Sequence, residues 1–265
     1  MSPITVTTIG LTCKAFLSSG LCAVTVNGLP TLVEALNSAQ RENGCGVVTV
    51  SNHISTLDDP VTWGVLPATY YLRSRMTRWT LGASDIMFTN PILSYFFTHG
   101  QVLETFRGRG IFQRSVDTAI EKLNKGDWIH LYGEGKVNQP STYQKDQDGL
   151  AILPRFKWGV GRIISSTTAI PTVIPMWITG FDTLMPEGRS FPYNFMPRIG
   201  ARLSITFGAP IPSEEIKRAT EHLRETSTAD LDVKIRTEVT AIVHQAVQAL
   251  GRSVSGVSLG GTTVP

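Results

Sequence analysis

The segment Gly46-Val-Val-Thr-Val-Ser51 is the feature that most constrains this chain: an uncharged run of β-branched residues that follows the polar stretch 37–45. Branched side chains fit a pleated surface, so the run reads as a buried strand. It ends on Asn52 and His53. Asp58-Asp59-Pro60 then supplies an N-cap carboxylate and a proline at the first helical position, which predicts a helix carrying Val61, Trp63, Val65 and Leu66. His53 is thereby placed on a strand-to-helix loop.

The same alternation recurs downstream. Asp127-Trp-Ile-His-Leu-Tyr132 and Val173-Ile-Pro-Met-Trp-Ile178 read as strands, and Arg202–Phe207 alternates with Leu203, Ile205 and Phe207 on one side. Between and after them, Val116, Ile120 and Leu123 share one helical face over 115–125, and Ser213 caps a helix with Glu214 and Glu215 in its first turn. Leu231, Ile235, Val239, Ile242, Ala246 and Leu250 mark a longer amphipathic helix. Strands separated by helices predict an α/β fold, a single layered domain with a mixed central sheet flanked by helices. The body of that domain is expected over residues 41–250. Residues 1–40 read as a lead-in compatible with membrane association, and 251–265, Gly/Ser-rich and uncharged after Arg252, as a disordered tail.

Composition removes several classes of function. With 265 residues, 42% hydrophobic and 17% charged, the chain can bury a large core. Lys and Arg number 24 against 21 Asp and Glu, and a net charge of +3 is too small for a nucleic-acid binder. Three cysteines without C-x-x-C spacing (Cys13, Cys22, Cys45) argue against a disulfide framework and a structural zinc site, and no metal is expected. The charge-free stretches 15–33 and 163–181 are broken by Gly, Pro, Ser and Thr, so no spanning helix is read. Before Arg41 the only basic residue is Lys14, which fits neither a secretory signal nor a transit peptide. No Gly-x-Gly-x-x-Gly occurs, so no nucleotide cofactor is expected.

His53 and Asp58 form His-x-x-x-x-Asp on a tight loop, a spacing that can turn the carboxylate onto one imidazole nitrogen and leave the other as a base. The plain alternative is a loop histidine beside a helix-start carboxylate. Gly133-Glu134-Gly135-Lys136-Val137-Asn138 follows a strand, where glycines let backbone approach a phosphate and Lys136 offers a counter-charge, or where they simply make a polar turn. Gly108-Arg109-Gly110-Ile111-Phe112-Gln113-Arg114 can bind an anion ahead of a helix or merely solvate a loop. Gly256-Val-Ser258-Leu-Gly260 has the nucleophile-elbow pattern without the strand that an elbow needs before it, and is set aside. His130 reads as a core or site-wall residue; His99, His222 and His244 have no clustered partners in sequence.

In this order the pieces resemble the four blocks of the glycerophospholipid acyltransferase family: Asn52-His53-Ile-Ser-Thr-Leu-Asp58, Gly110-Ile-Phe-Gln-Arg114, Gly133-Glu134-Gly135-Lys136 and Ile170-Pro171-Thr-Val-Ile174-Pro175. The extended readings Leu57-Asp58-Asp59-Pro60, Gly133–Asn138 and Lys157-Trp-Gly-Val-Gly-Arg162 are similar to the branch of that family that remodels cardiolipin in mitochondria. The resemblance implies that residues 41–250 form an acyltransferase domain with His53 and Asp58 catalytic and Arg109, Arg114, Glu134, Gly135 and Lys136 binding substrate phosphate. The Gly133–Gly135 backbone is expected to donate to phosphate or to the oxyanion. It further implies coenzyme A-independent transfer between phospholipids and lysophospholipids, cardiolipin among them, on mitochondrial membranes facing the intermembrane space, without a cofactor. Self-association is left open. Gly133 stands where the family usually has proline, and Val137 where many members have arginine.

Residues 86–103 carry no formal charge and are interrupted by Asn90-Pro91 and His99-Gly100-Gln101, which suits an element lying in the membrane interface rather than crossing it. Phe88, Leu93, Phe96 and Phe97 are its expected lipid contacts, with Arg73, Arg75 and Arg78 beside anionic headgroups. A soluble core helix is the competing reading. Two rival functions remain: an acyltransferase that uses acyl-coenzyme A with the same residue pair, and a non-catalytic lipid-binding module, which has no use for Asp58 aimed at His53.

Overall fold

Seven strands, β1 (Ala23–Asn27), β2 (Val47–Ser51), β3 (Trp79–Ala83), β4 (Val102–Thr105), β5 (Trp128–Tyr132), β6 (Thr172–Thr179) and β7 (Arg202–Phe207), join in one sheet of order β1-β7-β6-β2-β5-β3-β4. They are seen in a computed structural model that describes residues 3–226 and 230–261. β6, β2, β5, β3 and β4 run parallel, β7 is antiparallel to β6, and β1 pairs parallel with β7. The sheet is therefore mixed, with five carboxyl ends on one edge. All four strands expected from the sequence are present.

The described residues also form ten α-helices: α1 (Pro3–Ser18), α2 (Leu29–Asn37), α3 (Asp58–Val61), α4 (Ser84–Met87), α5 (Pro91–His99), α6 (Arg114–Leu123), α7 (Gly159–Ser165), α8 (Phe181–Leu184), α9 (Ser213–Thr226) and α10 (Leu231–Ser255). Side-chain alternation along each strand divides the core. Val48, Val50, Ile129, Leu131, Val173 and Trp177 face α6, α7, α9 and α10. Val47, Trp128, Ile174, Met176, Leu203 and Ile205 face α1, α2, α8 and the segment that begins at α3. On that second face β2 and β5 also carry polar groups: His130 Nδ1 bonds Thr49 Oγ1 at 2.8 Å, and Trp128 Nε1 donates to the same hydroxyl at 3.0 Å.

Four sequence expectations are corrected. Residues 1–40 are an integral part of the fold, since α1 packs on the segment after α3 and β1 pairs with β7. The tail assignment fails for 251–261: α10 runs on to Ser255, whose hydroxyl accepts from Trp177 Nε1 at 2.9 Å, and Leu259 is fully buried. The physical reason is Gly251, where a Cβ would stand 2.7 Å from the Trp177 ring, so that only glycine lets the helix lie on the indole. Residues 262–265 lie outside the described residues. The helix expected at Asp58 is a single α turn followed by a 3-10 turn over Thr62–Val65.

The fourth correction concerns Arg75 and Arg78, expected at headgroups. Arg78 is buried and grips Asp59 with two bonds, Nε to Oδ1 at 2.7 Å and Nη2 to Oδ2 at 2.5 Å, while Trp63 Nε1 donates to Oδ1 at 2.6 Å. Arg75 pairs with Glu42 and donates to the Arg41 carbonyl. The Asp59–Arg78 pair ties α3 to the start of β3, so Arg78→Met should cost about 3–5 kcal/mol by leaving a largely buried carboxylate without its charged partner. The midpoint of denaturant unfolding measures this, and an unchanged midpoint would show the pair to be dispensable.

Candidate active site

The site stands where the central strand β2 leaves the sheet. Asn52 makes the exit rigid: its amide accepts from Ile178 N and donates to Ile178 O, both at 2.9 Å, replacing the backbone pairing that β2 gives up. The chain then turns back on itself around one oxygen. Asp58 Oδ2 accepts from Ile54 N at 2.7 Å and Ser55 N at 2.9 Å, and lies 2.9 Å from His53 Nδ1. Asp58 is fully buried, whereas the His53 side chain keeps 19% of its surface open. Burial pushes the Asp58 carboxyl up from the ordinary range, and the His53 and backbone donors pull it back. Oδ1 has no partner among the described residues. With Nδ1 committed to the carboxylate, Nε2 is the nitrogen left to accept a proton.

The turn after β5 holds His53 from the other side. Glu134 Oε1 accepts from the His53 backbone N–H at 2.9 Å, Asn138 N donates to the His53 carbonyl at 2.7 Å, and Asn138 Nδ2 closes the loop on Glu134 Oε2 at 2.5 Å. Glu134 is buried and both its oxygens are spent on the main chain and on Asn138, so it is a clasp for the His53 loop where the sequence suggested a phosphate contact. Gly133 N and Gly135 N donate to the Ser51 and Tyr132 carbonyls, so neither is free for an oxyanion or a phosphate. Gly135 has φ +70°, which favours glycine. The glycine at 133 in place of proline also has a local cause, since a Cβ there would lie 2.5 Å from the Phe156 ring.

Gly135 and Lys136 are exposed beside this clasp. Arg109 and Arg114, also exposed, follow β4 on the same carboxyl edge; β5 and β3 intervene, an offset of roughly 14 Å at the spacing of neighbouring strands. Arg109 lies over the Phe106 ring, and Arg162 anchors the loop by donating to Ile111 O at 2.6 Å. The structure thus brings His53, Asp58, Glu134, Gly135 and Lys136 together and leaves the two arginines on the flank.

Sequence reading missed the ring column on β5. Tyr132 stacks on His53 with centroids 4.1 Å apart, and His130 meets Tyr132 and Trp63 edge-on. The signal was present as Trp128, His130 and Tyr132 at every second residue. Burial pushes His130 down to about 3, so it stays neutral and is no second base. Ser258 is the last residue of a 3-10 turn that follows a helix, not a strand, and makes no elbow.

The acyltransferase family model matches residues 32–179, and the chain belongs to that family; it is an acyltransferase. Within the family it is tafazzin-like. It is 34% identical over 214 residues to a Dictyostelium discoideum tafazzin, covering 79% of this chain and 69% of that protein. A Drosophila melanogaster tafazzin is 40% identical over 172 residues, 65% of this chain and 42% of the relative. An Arabidopsis thaliana N-acylphosphatidylethanolamine synthase is 37% identical over 191 residues, 70% and 62% of the two chains. The chain therefore spans between about two fifths and two thirds of the length of these relatives.

Burial raises Glu134 to about 8. A carboxyl raised in the fold favours the native state while protonated, so stability falls as pH climbs from about 4.5 through about 8. Relative to Glu134→Gln, the wild type should lose melting temperature between pH 6 and 9, and parallel curves would show that Glu134 does not titrate there. Glu134→Ala strands two donors and should cost about 1–3 kcal/mol for each that is left unpaired.

Proposed function

We propose that this acyltransferase moves an acyl chain from one phospholipid to a lysophospholipid at a membrane surface, with His53 as general base. The observation that carries this is a half-open imidazole bonded through Nδ1 to a fully buried carboxylate at the carboxyl edge of the sheet. His53 Nε2 takes the proton of the acceptor hydroxyl as its oxygen attacks the donor's ester carbonyl, while Asp58 fixes the tautomer and stabilises the imidazolium. When the tetrahedral intermediate collapses, the departing lysolipid oxygen takes that proton back. Lys136, Arg114 and Arg109 supply positive charge for the lipid phosphates.

Exchange of one oxygen ester for another is near isoenergetic, so no thioester is needed and the enzyme's task is to place hydroxyl and carbonyl within reach. The likeness to tafazzins points to cardiolipin as a lipid it remodels, on mitochondrial membranes facing the intermembrane space. His53→Ala should lower transfer about 10²–10⁴-fold in a liposome assay free of coenzyme A, with the protein still folded. Near-normal turnover by that variant would remove the base. Strict dependence on acyl-coenzyme A would favour the thioester-dependent rival, and label appearing on the amine of phosphatidylethanolamine would move the acceptor toward that of the plant relative.

The surface expected at lipid is α4 and α5, since Val102 and Leu103 of the 86–103 stretch belong to β4. No helix among the described residues is long and apolar enough to cross a membrane. Ile92 is 81% exposed and Tyr95 64%, ahead of Phe96 at 43%, while Phe88, Leu93 and Phe97 are half-buried. α1 packs beside α5, and its exposed positions Ile4, Thr8, Leu11, Thr12 and Ala15 carry no charge. This face lies in the interface in our reading. Ile92→Glu with Phe96→Glu should cut co-flotation with phospholipid vesicles at least about tenfold, since each buried side chain contributes on the order of 1.5–3 kcal/mol. Undiminished flotation would place the contact elsewhere.

A further inference from the structure

The Tyr132 ring lies 4.1 Å from the His53 ring, centroid to centroid, at an interplanar angle of 24°. His130 also packs on the phenol ring, near-perpendicular with centroids 4.4 Å apart, and His130 is itself locked by Thr49 and packed on Trp63. The Tyr132 hydroxyl is buried and bonds nothing among the described residues. A buried phenol costs stability when its hydroxyl is unpaired, so the feature that the site uses is the ring and not the oxygen.

We propose that Tyr132 is a positioning residue for His53: its face keeps the imidazole in the plane that points Nδ1 at Asp58 Oδ2, and shares the positive charge that appears when Nε2 takes the acceptor's proton. A ring face attracts a cation through its quadrupole, and the attraction grows where water is excluded. Neutral imidazole gains little from it, so the contact strengthens as the proton moves, the condition for lowering a barrier rather than binding the ground state. This rests on the general-base reading of His53.

The other titratable and charged groups around His53 belong to residues that a Tyr132 substitution leaves unaltered. They are Asp58 on the loop, Glu134 and Lys136 in the turn after β5, the buried Tyr143 phenol, the neutral His130, and the closed Asp59–Arg78 pair. A change in the pH profile of a Tyr132 variant therefore reports the ring.

The test is acyl transfer between a labelled phosphatidylcholine and a lysophospholipid in vesicles free of coenzyme A, with kcat and KM followed from pH 5 to 9. Tyr132→Leu should lower kcat about tenfold with KM within about twofold, and should move the midpoint of the acid limb down by about 0.4–0.7 pH unit, the equivalent of one such contact. Tyr132→Phe should restore both. Phenylalanines of rising fluorine content at 132 keep the shape while draining the ring face, so the acid limb should descend stepwise even if Tyr132→Leu fails to fold. An acid limb fixed across that series, or a Tyr132→Phe protein as slow as Tyr132→Leu, overturns the proposal. His53→Ala in the same assay separates the two ideas, because full activity there would remove the base itself.

Discussion

One carboxylate oxygen organises this molecule. Asp58 Oδ2 receives two backbone N–H groups and the imidazole, so the chain leaving β2 reverses within five residues and carries His53 back over its own strand end. A buried carboxylate is tolerated only when donors surround it, and the donors here come from the loop that it shapes. The fold and the chemistry are thus fixed by the same contacts: without the reversal, His53 would extend away from the sheet and Asp59 could not reach Arg78 and Trp63.

The site is assembled from parallel neighbours. β2 supplies the histidine, β5 the clasp of Glu134 and Asn138, and β6 the backbone on which Asn52 closes. The clasp is also joined to the flank that carries Arg109 and Arg114. Lys157 N bonds Gly133 O, Arg162 on the helix that follows bonds Ile111 O, and the 108–112 loop thereby shares a frame with His53. His53 and the two arginines are thereby held roughly three strand spacings apart, a span that fits the proposed substrates, with a phosphate at one end and an ester at the other.

Much of this was legible. The β-branched run 46–51 placed His53 on a strand end, and the five-residue spacing to Asp58 placed the carboxylate on its nitrogen, because both depend on local chain geometry. β3 and β4 were not legible: Trp79-Thr-Leu-Gly-Ala is short and broken by glycine, and Val102-Leu103 had been absorbed into the uncharged stretch before it. Their identity as strands is set by pairing, β3 with β5 and β4 with β3, a nonlocal property. Glu134 reads from sequence as a phosphate contact, since a carboxylate beside glycines and a lysine looks like a ligand contact until its partners, His53 N and Asn138 Nδ2, are seen. Arg78 misled in the same way: a cation near an apolar stretch reads as a headgroup contact, and only the fold shows it turned inward on Asp59. The last helix outran its pattern because Gly251, a helix breaker by propensity, is kept for the indole against it.

β1 sits at the outer margin of the sheet and covers β7, whose Leu203 and Ile205 are buried. It is short and alternates exposed Ala23, Thr25 and Asn27 with half-buried valines, a poor template for a further strand. A fragment trimmed to the blocks that carry the chemistry would lack this cover and present β7 as a bare, apolar edge. β1 thus shields the margin of the sheet from within the chain itself, and a piece of the chain cut to begin after it should aggregate on expression rather than fold as a smaller domain.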